Sequence, residues 1–169
     1  MMRALGSGIE IFLHPGEWYF GDRHTRIRTL LGSCVAITLW HPREKIGGMC
    51  HYMLPGRDDP RAALNARYGC DALQLMLLEV RRHGGNASEY EVKLFGGGNM
   101  FGLSPDEKGV ACRNIIAART LMQRYGLPVV AESLGGCRYR QLIFNLADGD
   151  VWVRMGPGHL TAADTSGVA

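Results

Sequence analysis

Cys34 closes the run Thr29-Leu30-Leu31-Gly32-Ser33-Cys34, and 17 residues later His51 stands in Gly47-Gly48-Met49-Cys50-His51-Tyr52. A free thiol with a pKa near ~8.5 is only a few per cent ionised at neutral pH, and a neighbouring histidine is the usual means of raising its reactivity. Cys34 and His51 are therefore the candidate nucleophile and base. A Gly32-Ser33-Cys34 turn can expose the sulfur while turning backbone N–H groups, that of Cys34 included, toward the place where an oxyanion would form. Taken alone, Cys34 also reads as a small buried apolar residue and His51 as a hydrogen-bonded strand histidine. A metal centre at Cys50-His51, completed by His41 or Cys34, is disfavoured because adjacent strand residues point to opposite faces.

Other groups carry less chemistry. Gly96-Gly97-Gly98 follows a strand, where phosphate loops sit, but matches neither Gly-x-Gly-x-x-Gly nor a Gly-Lys-Ser/Thr signature, so a tight turn or a close backbone approach is expected. Arg113-Asn114 reads as a polar pair on a solvated helix surface or a cleft lining. Arg138-Tyr139-Arg140 reads as a charged strand edge. Cys70, Cys112 and Cys137 read as packing residues.

The elements that must position these groups follow from periodicity. Ile9 to Leu13 and Glu17 to Phe20 read as short strands around His14-Pro15-Gly16. Thr29 to Leu31 and Val35 to Trp40 read as one buried strand bent at Gly32-Ser33, with Gly47 to Leu54 as its partner. Asp59-Pro60 is a helix start, and Leu73, Met76, Leu77 and Val80 supply the apolar stripe, with Gly84-Gly85 as the stop. Glu91 to Phe95 is a strand. Ile115, Ala118, Met122 and Tyr125 mark a second helix closed by Gly126 and Pro128. Val129 to Glu132 is a strand, and Tyr139 to Leu146 with Asp150 to Met155 form a hairpin. The tail from Gly156 reads as frayed. The pattern predicts an α/β chain of α+β-like mixed sheets, layered with helices outside.

Composition sets the frame. The chain has 169 residues, 46% hydrophobic and 21% charged, the range of one ordinary globular domain. A net charge of +3 and a sequence pI near 8.7, with scattered arginines, fall short of a nucleic-acid binder. Five cysteines without a Cys-x-x-Cys pair argue against a zinc ribbon or a paired disulfide framework and suit reduced thiols. No stretch approaches the ~18 apolar residues of a membrane span, and the N-terminus lacks a signal-peptide pattern, so a cytoplasmic protein is expected.

Several motifs in order, Leu31-Gly32-Ser33-Cys34-Val35-Ala36, Gly47-Gly48-Met49 with His51 and Met53-Leu54-Pro55, Arg67-Tyr68, Lys93-Leu94-Phe95-Gly96-Gly97, Arg113-Asn114 and Gly135-Gly136, closely resemble the CheD family of bacterial chemotaxis proteins. The resemblance covers about residues 8 to 155. It implies one deamidase domain over 1–155 with a flexible tail over 156–169. The implied activity is a chemoreceptor glutamine deamidase acting through a cysteine thioester, without metal or organic cofactor, on methyl-accepting chemotaxis receptors. A CheC-type phosphatase is an implied further partner, and a non-enzymatic adaptor is the alternative. The implied fold is a layered β-sandwich with outer helices, similar to the catalytic domain of cytotoxic necrotizing factors. The family nucleophile falls on Cys34 and its histidine on His51, with Gly32 and Ser33 in the oxyanion turn. Family members commonly carry a threonine six residues before the cysteine. That position here is Arg28, and the neighbouring Thr29 is its candidate substitute, although a one-residue offset turns its hydroxyl to the opposite face unless a bulge corrects the register.

Overall fold

The computed structural model describes residues 2–5, 8–102 and 109–158, with side chains described over 8–102 and 109–157. Ten strands and two helices follow one another in these stretches: β1 (Met2–Leu5), β2 (Gly8–Leu13), β3 (Trp18–Gly21), β4 (Thr25–Leu31), β5 (Val35–His41), β6 (Ile46–Tyr52), α1 (Gly69–Arg82), β7 (Glu91–Gly96), α2 (Val110–Tyr125), β8 (Val129–Leu134), β9 (Arg138–Asn145) and β10 (Val151–Gly158). They form two five-stranded sheets, in the orders β1-β2-β4-β9-β10 and β3-β6-β5-β7-β8. Each is mixed, since β2 pairs parallel with β4 and β7 parallel with β8 while the remaining neighbours are antiparallel.

Residue alternation explains the layers. In β4 every second residue is buried, so Thr25, Ile27, Thr29 and Leu31 face inward while Arg26, Arg28 and Leu30 face solvent. All seven residues of β5 are buried, because this strand is covered on both faces. Ala36, Trp40 and Met49 meet Ile27, Leu31, Leu142 and Phe144 of the first sheet in one apolar cluster. Val35, Ile37, Leu39, Cys50 and Tyr52 meet Leu73, Met76, Val80, Ala118 and Met122 of the helices in another. The molecule is thus layered as sheet, sheet, helices. Trp40 Nε1 donates to Leu146 O at 2.9 Å and Lys93 Nζ to Gly149 O at 2.9 Å, tying the second sheet to the β9–β10 turn of the first.

Four expectations change. Thr29–Leu31 and Val35–Trp40 are not one bent strand: β4 belongs to the first sheet and β5 to the second, and Gly32-Ser33 carries the chain between them. The first helix starts at Gly69, not Pro60. Asp59 only closes a local turn onto Arg61 N, while Asp71 draws back the preceding segment by accepting from Asn65 N and pairing with Arg57. Gly69 fits under the Tyr52 ring, where an added Cβ would lie 3.0 Å from a ring carbon. The last strand runs to Gly158, three residues beyond Met155, its end held by Arg138 Nε donating to Gly156 O; the remaining tail lies outside the described residues. Finally, Arg140 is no solvated edge: it is buried and donates to Ser133 Oγ and Gly135 O. No helix among the described residues is long and apolar enough to cross a membrane.

Candidate active site

The Gly32–Cys34 turn is anchored through all three of its carbonyls. Gly32 O accepts from Gly98 N at 2.8 Å, Ser33 O from Asn114 Nδ2 at 3.1 Å, and Cys34 O from Gly97 N at 2.8 Å. Among the described residues, the N–H groups of Ser33 and Cys34 donate to no protein acceptor. The glycine run after β7 makes this possible by close approach. Gly96 has φ +110°, and a Cβ there would stand 2.2 Å from Cys34 O, so only glycine lets the two backbones meet. A cleft of about 330 Å³ opens beside this turn, lined by Ser33, Gly97, Gly98, Ile115, Gly135 and Gly136 among others.

His51 stands on β6 opposite Ala36 of β5. Alternation sends Cys50 and Tyr52 to the helix side and His51 to the side facing the first sheet, where Cys34 also packs. Cys34 lies just before β5, two residues from Ala36, and packs against the same inter-sheet cluster, so it and His51 lie on one side of the second sheet. Thr29, inward on β4, reaches His51 from the opposite sheet: its Oγ1 lies 2.7 Å from His51 Nδ1 and donates to Leu13 O at 2.9 Å. With its one proton committed to Leu13, the hydroxyl accepts from Nδ1–H, which leaves Nε2 as the bare, acceptor nitrogen. Nε2 is buried and has no hydrogen-bond partner among the described residues. The His14–Glu17 turn holds the backbone of the histidine, through Gly16 N to His51 O and His51 N to Glu17 O.

The question of register is answered by β4. Thr29 turns inward and Arg28 outward, where Arg28 pairs with Glu10 at 2.9 Å and its side chain is 47% exposed. No bulge is needed, because Leu13 and Thr29 are register partners in the β2–β4 ladder.

Burial governs the electrostatics. Desolvation pushes the Cys34 thiol up. It pushes His51 down to about 4, and Glu17 counters this while His14 adds to it. Both effects favour the neutral thiol and neutral imidazole over a resting ion pair. Cys50, wholly buried on the other face, is pushed up to about 12. Of the remaining thiols, Cys70 packs against the helix-side core and donates to Asp71 Oδ1 at 3.3 Å, whereas Cys112 is exposed and not a packing residue.

Of the groups singled out by sequence, Thr29 and His51 meet directly, and Cys34, on its turn with Gly32 and Ser33, packs into the same inter-sheet layer, with no hydrogen bond to His51 among the described residues; Arg113 is exposed, and Arg140, the register partner of Leu31, is bound to Ser133 and Gly135. Asn114 was expected at a solvated surface or a cleft wall. It is fully buried, and its Nδ2 also donates to Met53 O at 2.8 Å. A signal was present: Ala111, Asn114, Ala118, Leu121 and Met122 form the buried stripe of α2, which places a polar residue on an apolar face.

A model of the family described as CheD chemotactic sensory transduction matches residues 53–155, which include both helices and β7 to most of β10. Among curated proteins, one from Pseudomonas fluorescens (strain SBW25), named "Probable chemoreceptor glutamine deamidase CheD", is 48% identical over 97% of this chain and 94% of its own. A protein of Albidiferax ferrireducens, "Probable chemoreceptor glutamine deamidase CheD 2", is 49% identical over 85% of this chain and 86% of its own. A more distant one from Leptospira interrogans, "Probable chemoreceptor glutamine deamidase CheD 1", is 39% identical over 86% of this chain and 92% of its own.

Proposed function

The chain belongs to the CheD family, and on that premise we propose that it deamidates glutamine side chains of chemoreceptors through a thioester on Cys34, with His51 as proton carrier and Thr29 as its orienting partner. The observation that carries this assignment of roles is the 2.7 Å contact between Thr29 and His51, which fixes the tautomer and leaves Nε2 bare on the face that Cys34 shares.

Nε2 of His51 takes the thiol proton as Cys34 Sγ attacks the glutamine carboxamide carbon. The oxyanion that develops is met by the unengaged N–H groups of Ser33 and Cys34, held in place because the carbonyls of the turn are all committed elsewhere. Collapse of the tetrahedral intermediate breaks the C–N bond, the leaving nitrogen takes the proton from His51, and ammonia departs. His51 then removes a proton from water, hydroxide attacks the thioester, and the C–S bond breaks to release glutamate and return the proton to Cys34. Thr29 is a neutral partner, so it orients the ring without stabilising its positive form as a carboxylate would. The low pKa of His51 agrees with that. Transfer of the proton is thereby coupled to attack instead of preceding it.

Two face-packed sheets with both helices against the outer side of one support a likeness to the cytotoxic necrotizing factor catalytic domain, and the single deamidase domain is placed over residues 1–155.

Mass spectrometry of a chemoreceptor cytoplasmic fragment incubated with wild type and with Cys34→Ala tests the proposal. The expected result is a gain of about one mass unit at defined glutamines with wild type alone. No gain with the folded wild-type protein on several receptors would overturn it in favour of an adaptor that binds receptors and a CheC-type phosphatase.

A further inference from the structure

We infer that Asn114 is a positioning residue for the deamidation, a side chain that fixes the Cys34 turn relative to the end of the His51 strand. This inference rests on the roles proposed above for Cys34 and His51.

Ser33 immediately precedes Cys34 in one segment, and Met53 follows His51 by two residues in another. Asn114 Nδ2 donates to Ser33 O at 3.1 Å and to Met53 O at 2.8 Å, so one amide group spans both segments. Both donors of that amide are thereby used. The backbone of the same residue completes the clamp, since Asn114 O accepts from Tyr52 Oη at 2.6 Å. The helix α2 thus grips β6 immediately beyond His51 and the turn immediately before Cys34, and it does so from the layer opposite the one that supplies Thr29.

The side chain is poorly explained by stability alone. Asn114 is fully buried on the apolar stripe of α2, and its Oδ1 is buried without a hydrogen-bond partner among the described residues. A half-satisfied buried amide is costly, and an apolar side chain of similar volume would pack the same stripe. What an apolar side chain lacks is the pair of N–H donors aimed at two carbonyls from different segments. Holding Ser33 O also fixes the plane of the Ser33-Cys34 peptide, and with it the direction of the Cys34 N–H. Misplacing reacting groups by about 1 Å costs on the order of a hundredfold in rate, whereas the residues that touch a receptor glutamine are unchanged by the substitution. The loss therefore falls on kcat and not on KM.

The test compares wild type, Asn114→Leu and Cys34→Ala on a glutamine-bearing chemoreceptor cytoplasmic fragment, with folded fraction checked by circular dichroism. Alkylation of Cys34 by iodoacetamide is followed in parallel, because it reads the thiol without requiring any receptor. Asn114→Leu is expected to lower kcat by about tenfold to a hundredfold with KM within about twofold, and to slow Cys34 alkylation at pH 7. If Asn114→Leu fails to fold, Asn114→Ser, whose single hydroxyl can serve one of the two carbonyls, takes its place with the same expectation. Full kcat per folded molecule in the folded variant, with Cys34→Ala inactive, overturns the positioning role while leaving the chemistry intact. Retained turnover by Cys34→Ala overturns both.

Discussion

On the helix side, β5 and β6 present Val35, Ile37, Leu39, Cys50 and Tyr52 to a layer of Leu, Met, Val and Ala side chains. On the side facing the first sheet, the same two strands present Ala36, Thr38, Trp40, Met49 and His51, and the end of that layer holds Cys34 and Thr29. The two faces differ by one residue in phase, yet one is nearly all apolar and the other ends in three polar groups. The cysteines show what this phase decides. Cys50 is closed off on every side and its thiol is pushed up to about 12, whereas Cys34 sits at a turn, half-buried, beside N–H groups that have no acceptor among the described residues. On the proposed roles, the difference in reactivity follows from whether a thiol stands mid-strand in a closed layer or at a turn beside a cleft.

Exchanging alanine for each cysteine is the strongest way to break this comparison. Cys34→Ala should abolish receptor deamidation at unchanged fold, while Cys50→Ala should keep kcat within about twofold and lose on the order of 1–2 kcal/mol of stability through the lost apolar volume. Urea titrations with ammonia-release assays read both, and an inactive but folded Cys50→Ala would mean that the helix-side layer also takes part in the chemistry.

Thr29→Val keeps the shape of the inter-sheet layer and removes the hydroxyl that holds His51. Its kcat is expected to fall by about tenfold to a hundredfold, together with about 1–3 kcal/mol of stability from the unpaired Leu13 carbonyl and imidazole Nδ1–H. A Thr29→Val enzyme with native kcat would show that the strand backbone alone orients the ring.

Acidification separates the faces in a third way. The folded pKa of His51 lies at about 4, below the ordinary 6.5, so the unfolded chain binds the extra proton first. The stabilisation is fully present above about pH 6.5 and is lost progressively as pH falls toward 4, amounting to about 3 kcal/mol in all. Thermal melts across this window should show the loss in wild type and not in His51→Gln. The acid limb of kcat/KM should likewise fall well below pH 6.5, because the neutral thiol and imidazole are the competent pair. An acid limb near 6.5 would contradict the burial argument.

The smallest effect belongs to Arg28. Its ion pair with Glu10 is on the outer face of the first sheet, so Arg28→Ala should leave kcat unchanged and cost less than about 1 kcal/mol. Loss of activity in Arg28→Ala would bring that outer face into the site.

Much of this was legible locally. The glycine turn before Cys34, the alternation that seats His51, the apolar stripe of α1 and the β9–β10 hairpin all follow from residue type and spacing, because a side-chain period of two or 3.6 is a property of the local backbone. The starting point of α1 was not, because Asp59-Pro60 has the chemistry of a helix cap while Asp71 and Arg57 spend the following residues on a loop. Nor was Asn114: Ile115, Ala118 and Met122 mark the inward side of α2 and only Tyr125 is exposed, but an asparagine beside Arg113 reads as a solvated polar pair until packing shows that it is covered.

The sequence by itself determined that Cys34 ends a glycine turn, that His51 stands on a strand, and that Thr29 and Arg28 must face opposite ways. Only the tertiary structure decided which of those two faces inward, that Gly32-Ser33 joins two sheets instead of bending one, and that Asn114 clasps both segments. The reason is that alternation fixes relative phase within a strand, whereas the identity of the layer on each side is set by pairing and packing between residues far apart in the chain.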